Sequence, residues 1–162
     1  MIKLVKFGQK DFNRLIKWIK SPDELTLFAG ISFKYPLTID QLMEYISFDN
    51  RKIFNVLDLN TGNIIGHCGL IDIDAGNKTA RICKMLIGDK DARGKGTGEL
   101  MVKELIKIAF EKLGLEHLSL RVYEYNLNAV KCYSKCGFII SDKLDNDFEH
   151  KFGRNLIMTL GR

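Results

Sequence analysis

The chain opens on an alternation of apolar and basic positions, Ile2, Leu4 and Phe7 against Lys3 and Lys6, which predicts an outer strand. The apolar positions then shift to helical spacing. Phe12, Leu15, Ile16 and Ile19 predict a helix over 11–20, closed by Ser21-Pro22. Residues 22–37 show no period and are rich in aromatics (Phe28, Phe33, Tyr35), so they read as irregular. Thr38 followed by Gln41 has the form of a capping box and predicts a short helix through Leu42 and Ile46.

Three strand-like runs follow, at 53–59, 64–74 and 79–87, separated by Asn60-Thr61-Gly62-Asn63 and Ala75-Gly76-Asn77-Lys78. Successive hairpins of this kind make an antiparallel meander. Over 98–113, Val102, Ile106, Ala109 and Leu113 mark one helical face, while Lys103, Lys107 and Glu111 mark another. Leu118, Leu120 and Val122 alternate in a strand over 117–123. A helix over 127–136 stops at Gly137, a residue suited to the left-handed conformation that ends helices. Strands at 138–142 and 155–160 complete the pattern around an acidic connection (Asp142, Asp145, Asp147, Glu149). Hairpins first, then helices interleaved with strands, predict an α+β fold with a mixed, mostly antiparallel sheet.

Composition narrows the class. The 162 residues are 46% apolar and 28% charged, with two prolines and no linker or repeat, which predicts one domain over 1–162. No apolar run has the length of a secretory signal or a bilayer span, so no membrane role is expected. Cys68, Cys83, Cys132 and Cys136 show no disulfide-framework spacing, which predicts reduced thiols and a cytoplasmic protein. No metal is expected, because CxxC is absent and His67, His117 and His150 are far apart. The net charge of +5 is spread along the chain without a basic run, which speaks against nucleic acid as partner.

The chemistry concentrates in Arg93-Gly94-Lys95-Gly96-Thr97-Gly98, between a strand and the strongest helix. Glycines let the backbone approach a ligand, and a helix start offers unpaired N–H groups and the positive end of its dipole. Together these suit phosphate oxygens, with Arg93 and Lys95 adding positive charge. Two nucleotide-binding patterns fail. A P-loop needs Ser or Thr after its lysine, where Gly96 stands. A dinucleotide fingerprint needs a different glycine spacing inside a parallel βαβ unit.

Arg93-x-x-Gly96-x-Gly98 resembles the acetyl-CoA signature of the GNAT superfamily of N-acetyltransferases, R/Q-x-x-G-x-G/A. A second match lies about thirty residues on. The stretch Asn126 to Phe138 is similar to the family pattern N-x-x-A-(apolar)-x-x-Y-x-K-x-G-F at Asn126, Ala129, Val130, Tyr133, Lys135, Gly137 and Phe138. The resemblance spans about residues 50–140, with both motifs in order on the expected elements. It implies a sheet of about six to seven strands flanked by about four helices. It also implies acetyl-CoA as cosubstrate and an amine as acceptor. Leu86-Ile87-Gly88-Asp89-Lys90 looks like the branch that acetylates protein N-termini, polyamines or antibiotics.

Carried onto this chain, the resemblance places Tyr133 near the CoA sulfur, as general acid for the departing thiolate, and Asn126 on the pantetheine chain. Backbone groups of Met85, Leu86, Ile87 and Gly88 are its candidates for the thioester carbonyl, on a strand that splays from its neighbour at a bulge. Gly94, Lys95, Gly96, Thr97 and Gly98 would cradle the cofactor's phosphates. Some relatives carry a glutamate base on this strand where Arg81 stands here, so the base is left open among His67, Asp72, Asp74, Glu124 and a water chain. A cysteine nucleophile is disfavoured: Cys132 and Cys136 share a helix face and Cys83 lies on a strand, and none of the three has a histidine close in sequence. Direct attack in a ternary complex is the expected course. Residues 22–37 and 142–153 would flank the acceptor, with Phe28, Phe33 and Tyr35 as an apolar wall or equally as core, and Asp145, Asp147 and Glu149 as a solvated acidic loop or a draw for a cation. The aromatic segment could also pack a second copy in a homodimer. A catalytically silent acetyl-CoA-binding module is the rival expectation, one with no need for Tyr133.

Overall fold

The structure, a computed structural model, describes residues 1–145 and 151–162. Its strands are β1 (Ile2–Lys6), β2 (Lys52–Asp58), β3 (Ile64–Asp74), β4 (Thr79–Ile87), β5 (His117–Tyr123), β6 (Ile139–Lys143) and β7 (Asn155–Gly161). They form one sheet in the order β1-β2-β3-β4-β5-β7-β6. The meander read from the sequence is β2-β3-β4, with β1 on its outer edge. Only β4 and β5 run parallel, because the helix between them carries the chain back across the sheet. Every other neighbouring pair is antiparallel.

The helices are α1 (Phe12–Trp18), α2 (Pro22–Ala29), α3 (Ile39–Ile46), α4 (Thr97–Lys107) and α5 (Leu127–Lys135). Helix α2 corrects the irregular reading of 22–37. Ser21-Pro22 ends one helix and begins another: Ser21 Oγ accepts from Glu24 N–H at 3.1 Å, and Pro22 sits at the first helical position, where its missing N–H costs nothing. Thr38 caps α3 as expected, accepting from Gln41 N–H. Beyond Lys107 the helix of α4 continues as a wider turn over Ile108–Lys112, in which Leu113 N–H reaches back to Ile108 C=O.

Two apolar cores lie on the two faces of the sheet. On one, Val56, Ile65, Cys68, Leu70 and Ile82 pack with Met101, Val102 and Leu105 of α4 and with Tyr133 of α5. On the other, Phe7, Leu15, Leu25, Phe28, Leu42 and Tyr45 join α1, α2 and α3 to Ile53 and Leu86 of the sheet. Each fully buried Leu or Ile contributes about 1.5–3 kcal/mol relative to exposure, so both helical layers are held chiefly by this burial. No helix among the described residues is long and apolar enough to cross a membrane.

Strand pairing sets the place for a site. β4 and β5 pair only at Thr79–His117, Ala80–Leu118 and Arg81–Ser119. Beyond Arg81 the two strands run on without pairing, so a wedge opens in the middle of the sheet. On its other side β4 carries a bulge: His67 pairs with Leu86 and Gly69 with Cys83, setting three steps of β4 against two of β3. Lys84 takes up the extra step at φ +52°.

Candidate functional site

One wall of the wedge is the end of β4 and the turn beyond it. Gly88 N–H and Asp89 N–H both donate to Ile65 C=O, at 2.9 and 3.1 Å. The Trp18 ring lies so close to Gly88 that an added Cβ would fall 2.0 Å from it, so only glycine fits there. Arg93 Nε donates to Ile87 C=O at 2.9 Å and Thr97 Oγ1 to Ala92 C=O at 2.8 Å, folding the turn back on the strand. Gly94 and Gly96 sit at φ +71° and +77° with open space where a side chain would be.

Gly96 caps α4 with no side chain. The first amide to turn back into the helix is that of Leu100, on Gly96 C=O at 3.2 Å. The amides of Thr97, Gly98 and Glu99 therefore face outward at the positive end of the α4 dipole. Gly98 also serves the packing of the two helices. A Cβ added there would lie 3.4 Å from Cys132 Sγ, so its bare Cα lets α4 and α5 approach each other.

Among the four backbone candidates for the thioester carbonyl, the pairing makes a division. Gly88 N–H is already committed to Ile65, and Leu86 faces its partner His67 across the β3 side. This removes both as donors into the wedge. Strand alternation turns the amides of Met85 and Ile87 the other way, toward the wedge.

The opposite wall is β5 with α5. Asn126 opens α5 without capping it, its N–H held by Tyr123 C=O at 2.9 Å. Tyr133 is 8% exposed and meets Phe138 edge to face at 6.1 Å. Burial pushes its phenol pKa well above the ordinary range, so at neutral pH it keeps its proton. The turn of Gly137 at φ +99° lets Phe138 N–H reach Tyr133 C=O, which anchors this end of the helix.

The four base candidates are all engaged. His67 is not on a strand edge, as the sequence suggested, but within β3 and fully buried. Its Nε2 lies 3.1 Å from Tyr45 Oη, and Phe7 and Phe28 meet its ring edge to face. Burial pulls its pKa down to about 3, so it is neutral. Asp72 pairs with Arg81 at 2.9 Å. Asp74 closes the β3–β4 turn by accepting from Asn77. Glu124 accepts from Arg154 N–H and pairs with Lys143, interactions that keep it ionised.

Sequence reasoning missed Lys84. Simple alternation from Ala80 and Ile82 would have driven it into the core against α4. The bulge instead turns it to the other face, where its ammonium stands 4.9 Å from the Phe33 ring centre and 5.1 Å from that of Tyr45. Burial holds its pKa below that of an ordinary lysine. A lysine at a position where the alternation of Ala80 and Ile82 calls for an apolar residue was the available signal. The predicted apolar wall divides likewise: Phe28 is core, Phe33 packs on Tyr45, and Tyr35 is 40% exposed, donating to Lys20 C=O. Asp145 pairs with Arg154, while Asp147, Glu149 and His150 lie outside the described residues.

A wider depression of about 810 Å³ opens on the far side of Gly88, beside Arg14 and Trp18. Neither Tyr133 nor residues 97–99 line it.

Comparison with known proteins gives a consistent picture. The model of the acetyltransferase (GNAT) family matches residues 12–138. Acetyltransferase PseH of Campylobacter jejuni (strain 81-176) is 29% identical over 153 residues, covering 93% of this chain and 92% of the relative. A probable spermine N(1)-acetyltransferase of Bacillus subtilis subsp. natto is 32% identical over 88 residues, covering 52% of this chain and 58% of its own. Among solved structures, spermidine N-acetyltransferase from Vibrio cholerae, in complex with CoA and spermine, superposes with a TM-score of 0.82. It is 22% identical and covers 99% of this chain and 95% of that one.

Proposed function

Because the chain belongs to the acetyltransferase (GNAT) family, we propose that it moves the acetyl group of acetyl-CoA onto a primary amine by direct attack in a ternary complex. The family supplies the cosubstrate. The observation that carries the rest is the pair of walls: outward amides and bare glycines on one side of the wedge, a protonated phenol on the other.

In this reading the amides of Thr97, Gly98 and Glu99 receive phosphate oxygens, with Lys95 close by, while Arg93 shapes the turn. The pantetheine arm lies in the wedge between β4 and β5, where Asn126 can hold it. Met85 or Ile87 N–H polarises the thioester carbonyl. The neutral amine attacks, a tetrahedral intermediate forms, and Tyr133 gives its proton to sulfur as the C–S bond breaks, regaining one through water from the nitrogen, which sheds it to become the amide. An ordinary amine with pKa near 10 needs about 4 kcal/mol to be free base at pH 7, from about three units at 1.36 each. With His67, Asp72, Asp74 and Glu124 engaged, water in the wedge is the route we assign for that proton.

The cysteines support direct attack. Burial raises the pKa of Cys68 and Cys83 and lifts that of Cys132 to about 11, so none rests as a thiolate nucleophile. Four free thiols also fit the cytoplasm, where acetyl-CoA is at hand. The dodecamer known for the Vibrio enzyme is that protein's own. For this chain, pairing of two copies has support in Leu27, Ile31 and Tyr35, which stay exposed on the 22–37 segment.

The test is release of free thiol from acetyl-CoA across a panel of amines, with calorimetric titration of acetyl-CoA alongside. Gly96→Glu is expected to weaken acetyl-CoA binding about 100-fold or more, since it adds left-handed strain of about 1–2 kcal/mol and sets a carboxylate among phosphates. Unchanged affinity in this variant would move the cofactor away from the glycine turn.

A further inference from the structure

A cavity of about 300 Å³ lies where the pairing of β4 with β5 ends, lined by Arg81, Arg121, Ser119, Thr79, Asp72 and Ile157. Arg81 and Ser119 are the last register pair before the wedge opens. Arg121 is two residues beyond Ser119, hence on the same face of β5, and Ile157 is its cross-strand partner on β7. The other faces of these strands hold Ala80, Leu118 and Leu120 in the core, so the cavity belongs to the opposite side of the sheet.

Its charge is unbalanced. Arg81 binds Asp72 Oδ2 through one terminal nitrogen at 2.9 Å, yet its buried Nε has no acceptor. Arg121 is exposed and makes no ion pair among the described residues. Two guanidinium groups thus face one carboxylate, with the hydroxyls of Ser119 and Thr79 beside them. Further along β4, Lys84 adds a third cation, seated over the rings of Phe33 and Tyr45 and sharing the field of the same Asp72. The nearest carboxylates beyond offer no relief: Glu124 is held by Lys143 and Arg154, and Asp145 by Arg154.

A polyamine would bring several ammonium groups against these cations, whereas an anion would satisfy them. We propose that the acceptor of this enzyme carries, besides its amine, a carboxylate or phosphate group held by Arg81 and Arg121 at the apex of the wedge. A planar guanidinium suits both anions, and the hydroxyls of Ser119 and Thr79 supply further donors. The spacing adds a constraint. Arg81 stands four residues before Met85, about 13 Å along the strand, and an arginine side chain covers only part of that distance. The amine and the anion are therefore separated by several bonds. This inference rests on the acetyltransferase reading and sharpens its substrate.

The experiment uses the full chain loaded with CoA, titrated calorimetrically with hexylamine, 6-aminohexanoate, 6-aminohexyl phosphate and spermidine. At least one of the two anionic amines is expected to bind about tenfold or more tighter than hexylamine, the worth of one charge-assisted hydrogen bond. Which one does so tells carboxylate from phosphate. Arg121→Gln, at an exposed position with no ion-pair partner among the described residues, is expected to bring that preference to within about threefold at unchanged thermal stability. Equal binding of hexylamine or spermidine, binding of none at millimolar concentration, or a preference that survives Arg121→Gln overturns the proposal. CoA uptake separates the two levels: without it the acetyltransferase reading falls as well, and with it the anionic acceptor falls alone.

Discussion

Tyr133→Phe is expected to lower kcat about 100-fold while leaving the KM for acetyl-CoA and the melting temperature close to their original values. General acids contribute about 10²- to 10⁴-fold, and a thiol with pKa near 8.5 is already a tolerable leaving group, which argues for the lower end. The ring itself is untouched by the change, so its packing on Phe138 survives. Only the hydroxyl is removed. Because burial keeps the phenol protonated far into alkaline pH, the wild-type rate should show no alkaline fall from this group below about pH 10. Steady-state rates in both proteins across pH 6–10 provide the check. A kcat within about threefold of wild type would leave Tyr133 a packing residue and nothing more.

The second large effect concerns stability rather than rate. His67 is neutral in the fold with its pKa at about 3, whereas the unfolded chain restores the ordinary value of 6.5. Between those values the unfolded state binds more protons than the folded one. Stability therefore falls as pH drops below 6.5, by about 1.4 kcal/mol per unit, and the loss approaches about 5 kcal/mol near pH 3. Urea unfolding at pH 6.5 and 4.5 should differ by about 2 kcal/mol from this residue alone, because the unfolded histidine is already half protonated at pH 6.5. His67→Gln, which can still reach Tyr45 Oη, should be less stable at pH 7 but lose much less on acidification. If both proteins show the same slope, the buried histidine is not the source of the acid sensitivity.

Much of this architecture was legible because it depends on local signals. The three-strand meander was marked by Asn60-Thr61-Gly62-Asn63 and Ala75-Gly76-Asn77-Lys78, and α4 and α5 by their periodicity and by Gly137. The glycine turn before α4 was legible for the same reason: Gly94 and Gly96 need left-handed angles that the residue type itself announces. Helix α2 was missed because Ser21-Pro22 reads equally as a stop and as a start, and only the hydrogen bond from Glu24 decides between them. Lys84 was missed because a bulge inverts the alternation, and the count that produces it runs between two strands rather than along one. The engagement of the base candidates was hidden for a related reason. Glu124 meets Lys143 and Arg154 only once β5, β6 and β7 are assembled, and no spacing along the chain foretells those pairs.

The wedge has a bearing on strand-to-strand pairing between molecules. A free strand edge exposes a row of N–H and C=O groups, and such rows invite the strands of other molecules. Here β4 and β5 each possess such a row beyond Arg81 and Ser119, but the two rows face inward, toward each other. Another protein's strand could reach them only by prying the sheet apart, whereas a slender chain bearing amide groups can slip between. The fold thus keeps strand-like bonding capacity in reserve at its centre, where the proposed cofactor arm would use it, and among the described residues the sheet ends at two outer borders, β1 and β6.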